Sequence, residues 1–367
     1  MMKKDYTIFT LSPGSTSTKF AVFKGEACLF RANVAHDPAV LKSFVEIKDQ
    51  LPYRRETILS ELEKSGISLS DIDAFAAYSG GLESMEGGIY PINAKILEHS
   101  REGRTVKHPA TLGALLIFDM AKPYGSPTYL VNPPDVDEYC DLARLTGLKG
   151  VYRESRVHAL NQKEVAMRYS LEIGKEYEES NLVVAHVGGG LSITAHKQGR
   201  MIDGNDVLNG SGPMAPNRSG SVPLVPVIKM CFSGEFTEKE MIQRVGKTGG
   251  LFDHLGTDSA LEIKRRISEG DSYAKLVYDG MAYQLAKDIG AYAVVLEGMV
   301  DGIILTGGVS NDEYFVQNII RRVSWIAPVK AYGGDFEMEA LTSGAIRALS
   351  GKEKTKVYTG IPAWRGF

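Results

Sequence analysis

Thr7-Ile8-Phe9-Thr10-Leu11-Ser12-Pro13-Gly14-Ser15-Thr16-Ser17-Thr18-Lys19-Phe20-Ala21-Val22 decides how the rest of the chain is read. Apolar alternation over 7–11 stops at a run of small and hydroxyl residues and resumes over 19–22. This predicts two strands joined by a polar turn. About 175 residues later the theme returns: 182–185 reads as a strand, His186-Val187-Gly188-Gly189-Gly190 as a glycine turn, and 191–195 as a second strand. Two strand–turn–strand units at that separation predict an internally duplicated α/β protein whose copies share little identity. Each half is expected to hold a mixed sheet flanked by helices, with a cleft between the halves.

The intervening segments fit that plan. Residues 43–65 carry apolar positions at 44, 47, 51, 58, 59 and 62, an amphipathic helix with a break at Pro52. Residues 72–78 form a short apolar strand ending at Gly80-Gly81, 109–120 a buried helix, and 128–131 a buried strand stopped by Pro133-Pro134. Helices are predicted over 161–170, 272–297 and 337–349, and a strand over 302–305 that ends in Thr306-Gly307-Gly308.

The chain has 367 residues, a prior of two domains at ~150 residues each. Its 42 Lys+Arg against 45 Asp+Glu leave a net charge of −3, so no basic excess exists to bind nucleic acid. No apolar run approaches the ~18 residues of a membrane span. The opening Met1-Met2-Lys3-Lys4-Asp5 has no signal-peptide h-region. Cys28, Cys140 and Cys231 are odd in number and none has a CxxC neighbour, which points to free thiols in a reducing cytoplasm. The seven histidines form no HExxH or HxH pair, so a zinc site is disfavoured. Glycine is the outlier: 39 residues, about 13 more than the typical ~7% supplies, gathered in short clusters.

Three of the glycine turns have the chemistry of phosphate cradles. Ser12, Gly14, Ser15, Thr16, Ser17 and Lys19 place a glycine, hydroxyls and an ammonium in one turn that lacks the Walker A spacing. His186, Gly188, Gly189 and Gly190 leave no side chains in the way of an incoming phosphate. Gly307, Gly308 and Asn311 follow a buried strand, where a base or ribose can lie against the backbone. A surface hairpin accounts for any one of them taken singly; their order and spacing make them a set.

In that order the turns resemble the two phosphate motifs and the adenosine motif of the acetokinase family, within the sugar kinase, Hsp70 and actin superfamily. Val157-His158-Ala159-Leu160-Asn161-Gln162-Lys163 resembles the HALNQK segment of its butyrate kinases, and Pro216-Asn217-Arg218-Ser219-Gly220 resembles the family's arginine loop. Glu86-Gly87-Gly88-Ile89-Tyr90 and Val136-Asp137-Glu138 are likewise similar to butyrate kinases rather than acetate kinases. The likeness runs from about residue 6 to 350.

The resemblance implies two duplicated actin/RNase H-like domains, at 1–150 plus 340–367 and at 151–339, the second carrying nucleotide and dimer contacts. It implies transfer of the γ-phosphoryl of ATP to a short-chain carboxylate, with Mg²⁺, giving an acyl phosphate and ADP. A homodimer or higher homo-oligomer is the implied assembly. An acid of pKa ~4–5 is ionised at pH 7, so such a nucleophile needs no general base; it needs charge neutralisation and in-line positioning. Arg218 is expected to brace the transferring phosphoryl through its planar fork, and His158 to donate a hydrogen bond to it. Asn161 and Lys163 read as capping and solvating the helix that follows. Ser79, Gly80 and Gly81 are expected beside the acyl group. Asp137 and Asn132 are expected on the metal side, where one or two carboxylates suffice for Mg²⁺.

The chain departs from butyrate kinases at three polar positions: it has Ser12 for their usual Asn, Ser79 for Arg and Asn132 for Asp. Those changes predict altered substrate preference or modest turnover, unless neighbours such as Arg156 or Asp135 compensate. A sugar or polyol kinase of the same superfamily is the nearest alternative, although 214–226 alternates Pro, Val and Leu with few acids, better suited to an aliphatic chain. A non-catalytic ATP-binding regulatory protein is the other.

Overall fold

A computed structural model of the chain describes residues 5–367. They form two units: 5–137 with Phe336–Phe367, and Glu138–Asp335. The division falls at 137/138 and 335/336, whereas the sequence put it at 150/151 and 339/340; the opening residues 1–4 lie outside the described residues.

In the first unit, β1 (Thr7–Pro13), β2 (Ser17–Lys24), β3 (Ala27–Ala35), β4 (Ala74–Ala77), β5 (Ile89–Pro91) and β6 (Thr128–Val131) make one sheet of order β3-β2-β1-β4-β6-β5. In the second, β7 (Asn181–Val187), β8 (Leu191–Lys197), β9 (Arg200–Gly204), β10 (Gly302–Gly307) and β11 (Val329–Gly333) are ordered β11-β10-β7-β8-β9. Read from the hairpin outward, five strands in each unit have the same order and sense. The hairpin pairs and third strands are antiparallel (β1·β2·β3, β7·β8·β9), and the other two strands run parallel to the first strand of the hairpin (β1·β4·β6, β7·β10·β11). The duplication inferred from two hairpins is therefore present in the topology, with β5 as an addition to the first copy.

The buried strands are apolar on both faces because helices cover both, as parallel strands require. In the second unit, the helix Ser272–Val295 buries Ala274, Tyr278, Met281, Leu285 and Ile289, one stripe at helical spacing, beside Val183, Ala185 and Ile193 of the sheet. The helix Ala159–Glu172 packs on β7 and β10. In the first unit the helices Leu112–Ala121 and Glu337–Leu349 both pack on β1, β4 and β6.

Pro52 does not break a helix over 43–65. The main helix runs Leu51–Ser65 with Pro52 in its first turn, where a missing N–H costs nothing, and a short helix Pro38–Ser43 precedes it. Strands β3, β9 and β11 and the helix Glu313–Val323 are additional to those read from sequence. Strands β3 and β11 lie at sheet edges and are largely exposed, so they have no continuous apolar run to announce them.

Candidate active site

Parallel strands that share a direction bring their carboxyl ends to one edge of a sheet, where α/β proteins bind ligands. In the second unit, β7 ends at His186-Val187, β10 at Thr306-Gly307 and β11 at Gly333, and these strands are adjacent. Gly307 has φ +89, and a Cβ there would overlap the Val187 backbone, so the β7 and β10 ends meet only because the position is glycine.

His158 and His186 stack with centroids 4.1 Å apart and planes inclined by 20°. A side-chain network behind them fixes which ring nitrogen faces outward. Ser192 Oγ accepts from the His158 backbone N–H (3.3 Å) and from Gln162 Nε2 (2.8 Å). With both lone pairs used, its own hydrogen points to His158 Nδ1 at 2.8 Å. The neutral His158 proton then sits on Nε2 as a donor, a tautomer assigned from the network. For His186 the logic reverses. Asn161 Oδ1 takes Nδ1–H of His186 at 3.1 Å and the Thr306 hydroxyl at 3.1 Å, which leaves Nε2 of His186 as an acceptor. Burial, together with His186 and Arg218 nearby, holds the His158 imidazole well below its ordinary range. Burial likewise pulls His186 down to about 4, opposed by Asp335. Both rings are neutral at pH 7.

Arg218 lies over the glycine turn. A Cβ on Gly190 would fall inside the Arg218 guanidinium, and one on Gly189 would come within 3.3 Å of Asn217 Nδ2. The side-chain-free turn is thus filled by the arginine. Nε and Nη1 of Arg218 are buried and have no hydrogen-bond partner among the described residues. Burial lowers its pKa, opposed by Asp206. Two buried donors of a cation without acceptors carry a desolvation penalty that an anion would relieve.

The arginine loop rests on glycines to which the sequence reading assigned no role. Gly250, at φ +64, lies against Ala215 O and Arg218 O so closely that no Cβ fits, and Gly249 is equally hemmed in by Arg244 O and the Ser219 backbone. The Ala215 and Leu251 amides then tie the loop to Arg218 O (3.0 Å) and Ala215 O (3.2 Å). Gly333 similarly makes room for Asn311, whose Nδ2 donates to Gly308 O at 3.1 Å; Gly308 and Asn311 are exposed.

Asn161 and Lys163 do not solvate their helix. Asn161 is the buried group that orients His186, and Lys163 is buried in an ion pair with Glu138 at 2.9 Å. Ser192, Gln162 and Asn161 are the site residues the sequence reading missed. Their signal was position: Gln162 lies one helical turn after His158, and Ser192 follows the glycine turn.

In the first unit the selected residues again collect at the carboxyl ends of adjacent parallel strands. Ser12 is the last residue but one of β1, Ser79 follows β4, and Asn132 follows β6. In the β1–β2 turn, the Gly14 N–H donates to Ser17 O at 2.8 Å. Ser15, Thr16 and Lys19 are exposed, with Ser15 Oγ 3.0 Å from His108 Nε2 and Lys19 Nζ 3.9 Å from Glu337 Oε2. Ser79 is wholly buried and its hydroxyl donates to Thr111 O at 3.4 Å. Gly80 and Gly81 are wedged against Pro134 and Thr111. Asn132, at φ +39, accepts from the Gly88 N–H at 2.8 Å, so its carboxamide oxygen already caps a turn. Asp135 and Asp137 are buried in that turn. No group of three or more metal-ligating side chains occurs among the described residues.

Comparisons with known proteins bear on the family and the fold. The family model described as Acetokinase family matches residues 144–358. Over 353 residues the chain is 41% identical to butyrate kinase 2 of Clostridium acetobutylicum, covering 96% of this chain and 99% of that one. The crystal structure of Porphyromonas gingivalis acetate kinase is similar with a TM-score of 0.76 at 20% identity, covering 93% of this chain and 99% of that one. Entamoeba histolytica acetate kinase gives 0.71 at 16% identity, covering 92% and 98%. At these identities the two structures establish likeness of fold.

Proposed function

Because the chain belongs to the acetokinase family, we propose that it moves the γ-phosphoryl of ATP to the carboxylate of a short-chain fatty acid such as butyrate or isobutyrate. The products are an acyl phosphate and ADP, and the transfer is direct, in line and reversible. The observation that carries this reading is Arg218: a buried guanidinium with two unsatisfied donors, laid over a glycine turn beside two neutral histidines. Such a constellation is suited to an anion whose charge is redistributed during reaction.

Arg218 neutralises the transferring phosphoryl, and Nε2–H of His158 donates to one of its oxygens. His186 Nε2 is an acceptor while neutral; a polyphosphate beside it would raise its basicity, and a proton taken from water would then make it a second donor. The carboxylate attacks unaided, since it is ionised at pH 7. In the first unit Ser12, Gly14, Ser15, Thr16, Ser17 and Lys19 are proposed as phosphate contacts, and in the second Gly188, Gly189 and Gly190 are. Gly307, Gly308 and Asn311 receive the nucleoside. Ser79, Gly80 and Gly81 border the acyl chain. Asp137, with Asp135, would hold Mg²⁺ through one or two oxygens, the ion supplying charge neutralisation of the phosphates; Asn132 serves that side through the turn it caps.

The protein is proposed to act as a homodimer through its second unit, where Leu224, Val225, Ile228 and Phe232 are exposed on and beside the helix Leu224–Cys231, which buries none of its residues. Sedimentation of the purified protein tests this. No helix among the described residues is long and apolar enough to cross a membrane. All three cysteines are free and exposed, which suits a reducing cytoplasm.

A magnesium-dependent hydroxamate assay across acetate, propionate, butyrate, isobutyrate and valerate, with glycerol and glucose as controls, tests the reaction. Acyl hydroxamate from C3–C5 acids is expected, with overlapping use of neighbours because one methylene is worth only ~1–3 kcal/mol. ADP release with the polyols alone would overturn the proposal.

A further inference from the structure

Behind the β1–β2 turn lies a cation that none of the above uses. Arg54, in the helix Leu51–Ser65, is fully buried. Its Nη1 donates to Thr18 Oγ1 at 3.0 Å and reaches Ser17 O at 3.4 Å, the same carbonyl that receives the Gly14 N–H. Its Nε donates to Gln50 Oε1 at 3.0 Å, and Nη2 has no hydrogen-bond partner among the described residues. Around it are neutral groups: Gln50, Thr18, and His36, whose Nε2 meets Thr18 Oγ1 at 2.8 Å. Burial and Arg54 itself pull His36 down to about 4, so that ring adds no charge at pH 7. Among the described residues no carboxylate forms an ion pair with Arg54. Burial lowers its guanidinium to about 10, still protonated at pH 7.

A fully buried guanidinium normally has a carboxylate, since an unpaired buried charge costs several kcal/mol. The turn it grips is the one whose glycine, hydroxyls and ammonium were read as a polyphosphate cradle. We infer that Arg54 is a positioning residue for the nucleotide, holding the Ser17–Thr18 limb of the turn from inside and using the bound polyphosphate as its counter-ion. This rests on the reading of the chain as an ATP-dependent kinase and adds a buried electrostatic component to it. The cation faces the protein side of the turn, while Lys19 is exposed to solvent. Salt therefore screens Arg54 much less than Lys19.

The alternative is a frame of hydrogen bonds in which the charge is incidental. Gln50→Glu separates the two, because it keeps the oxygen that Arg54 Nε contacts and gives the cation an internal counter-ion. Titration calorimetry on the full chain with MgATP, and with adenosine as a probe lacking phosphate, is the measurement. Gln50→Glu is expected to unfold at an equal or higher temperature and to bind adenosine as wild type does. Its MgATP affinity should fall roughly ten-fold, the scale of one unit charge over about 10 Å at an effective dielectric of ~20. Arg54→Met should weaken MgATP at least as much; if it does not fold, Gln50→Glu decides alone. A Gln50→Glu protein that binds MgATP within two-fold of wild type, or that loses adenosine and MgATP equally, overturns the inference. Wild type that binds no MgATP overturns the kinase reading itself, and this inference with it.

Discussion

The β1–β2 and β7–β8 hairpins occupy equivalent places in two copies of one sheet plan, yet they are built on opposite principles. In the first, the turn carries the polar groups itself, with Ser15, Thr16 and Lys19 in solvent and Arg54 bracing it from below. A Cβ on Gly14 would approach nothing closer than Ser17 O at 3.3 Å. In the second, the turn carries no side chains, and its chemistry comes from elsewhere: Arg218 from a loop, His158 from the start of a helix, His186 from the strand end. Duplication thus conserved strand order while the two turns diverged, one presenting side chains and the other making room for them. A turn of the first kind tolerates small additions; a turn of the second kind does not.

The largest effect expected from that contrast is at Gly190. Gly190→Ala displaces the Arg218 guanidinium and should lower kcat/KM by about 10²–10³, the scale of removing a transition-state donor, as should Arg218→Ala. Gly14→Ala should stay within about ten-fold, and steady-state kinetics of the pair decides whether the asymmetry is real. Next in size is Gly250→Ala, which forces a side chain against Ala215 O and Arg218 O in a left-handed conformation. A loss of about 1–3 kcal/mol in stability is expected, read by denaturant unfolding, with a fall in kcat beyond what the unfolded fraction explains. Ser192→Ala removes the group that sets the His158 tautomer. It should lower kcat by roughly ten-fold with little change in nucleotide KM, since the effect is on proton placement.

The smallest effect is on pH dependence and concerns the buried imidazoles. His186 and His36 are each held near 4, and His158 and His196 well below the ordinary range, chiefly by burial. With folded pKa values below the unfolded value of ~6.5, the unfolded chain binds more protons in that window. Stability is therefore full above about 6.5 and is lost as pH falls toward 4. The thermal midpoint should drop across that range. His196→Gln, at a ring held between Tyr177 OH and Thr194 Oγ1, should make the drop shallower even if the midpoint at pH 7 is lower.

The three departures from the butyrate kinase pattern, Ser12, Ser79 and Asn132, all fall in the first copy. Asn132→Asp keeps an oxygen for the Gly88 amide, so it is expected to fold normally and isolates the effect of the missing charge on magnesium-dependent turnover. Ser79 is a harder test, because it is wholly buried and the backbone of Gly113 is packed against Tyr78 O and the Ser79 Cβ. An arginine there needs the first unit to rearrange.

Local pattern was enough for the elements that position the site. Strand–turn–strand units, the apolar strand at 128–131 and the last helix are all short-range features, set by alternation, glycine and helical spacing. The order of three glycine turns was likewise legible, because glycine clusters at strand ends stand in the sequence itself. Three-dimensional packing decided the rest. That Gly249 and Gly250 support Arg218, that Asn161 and Ser192 give the two histidines opposite tautomers, and that Arg54 lies buried without a carboxylate depend on residues far apart in the chain. Sequence fixes which groups a chain has and how each segment is inclined to fold. Burial and hydrogen-bond partners, which set charge, tautomer and room for a ligand, arise only when distant segments meet.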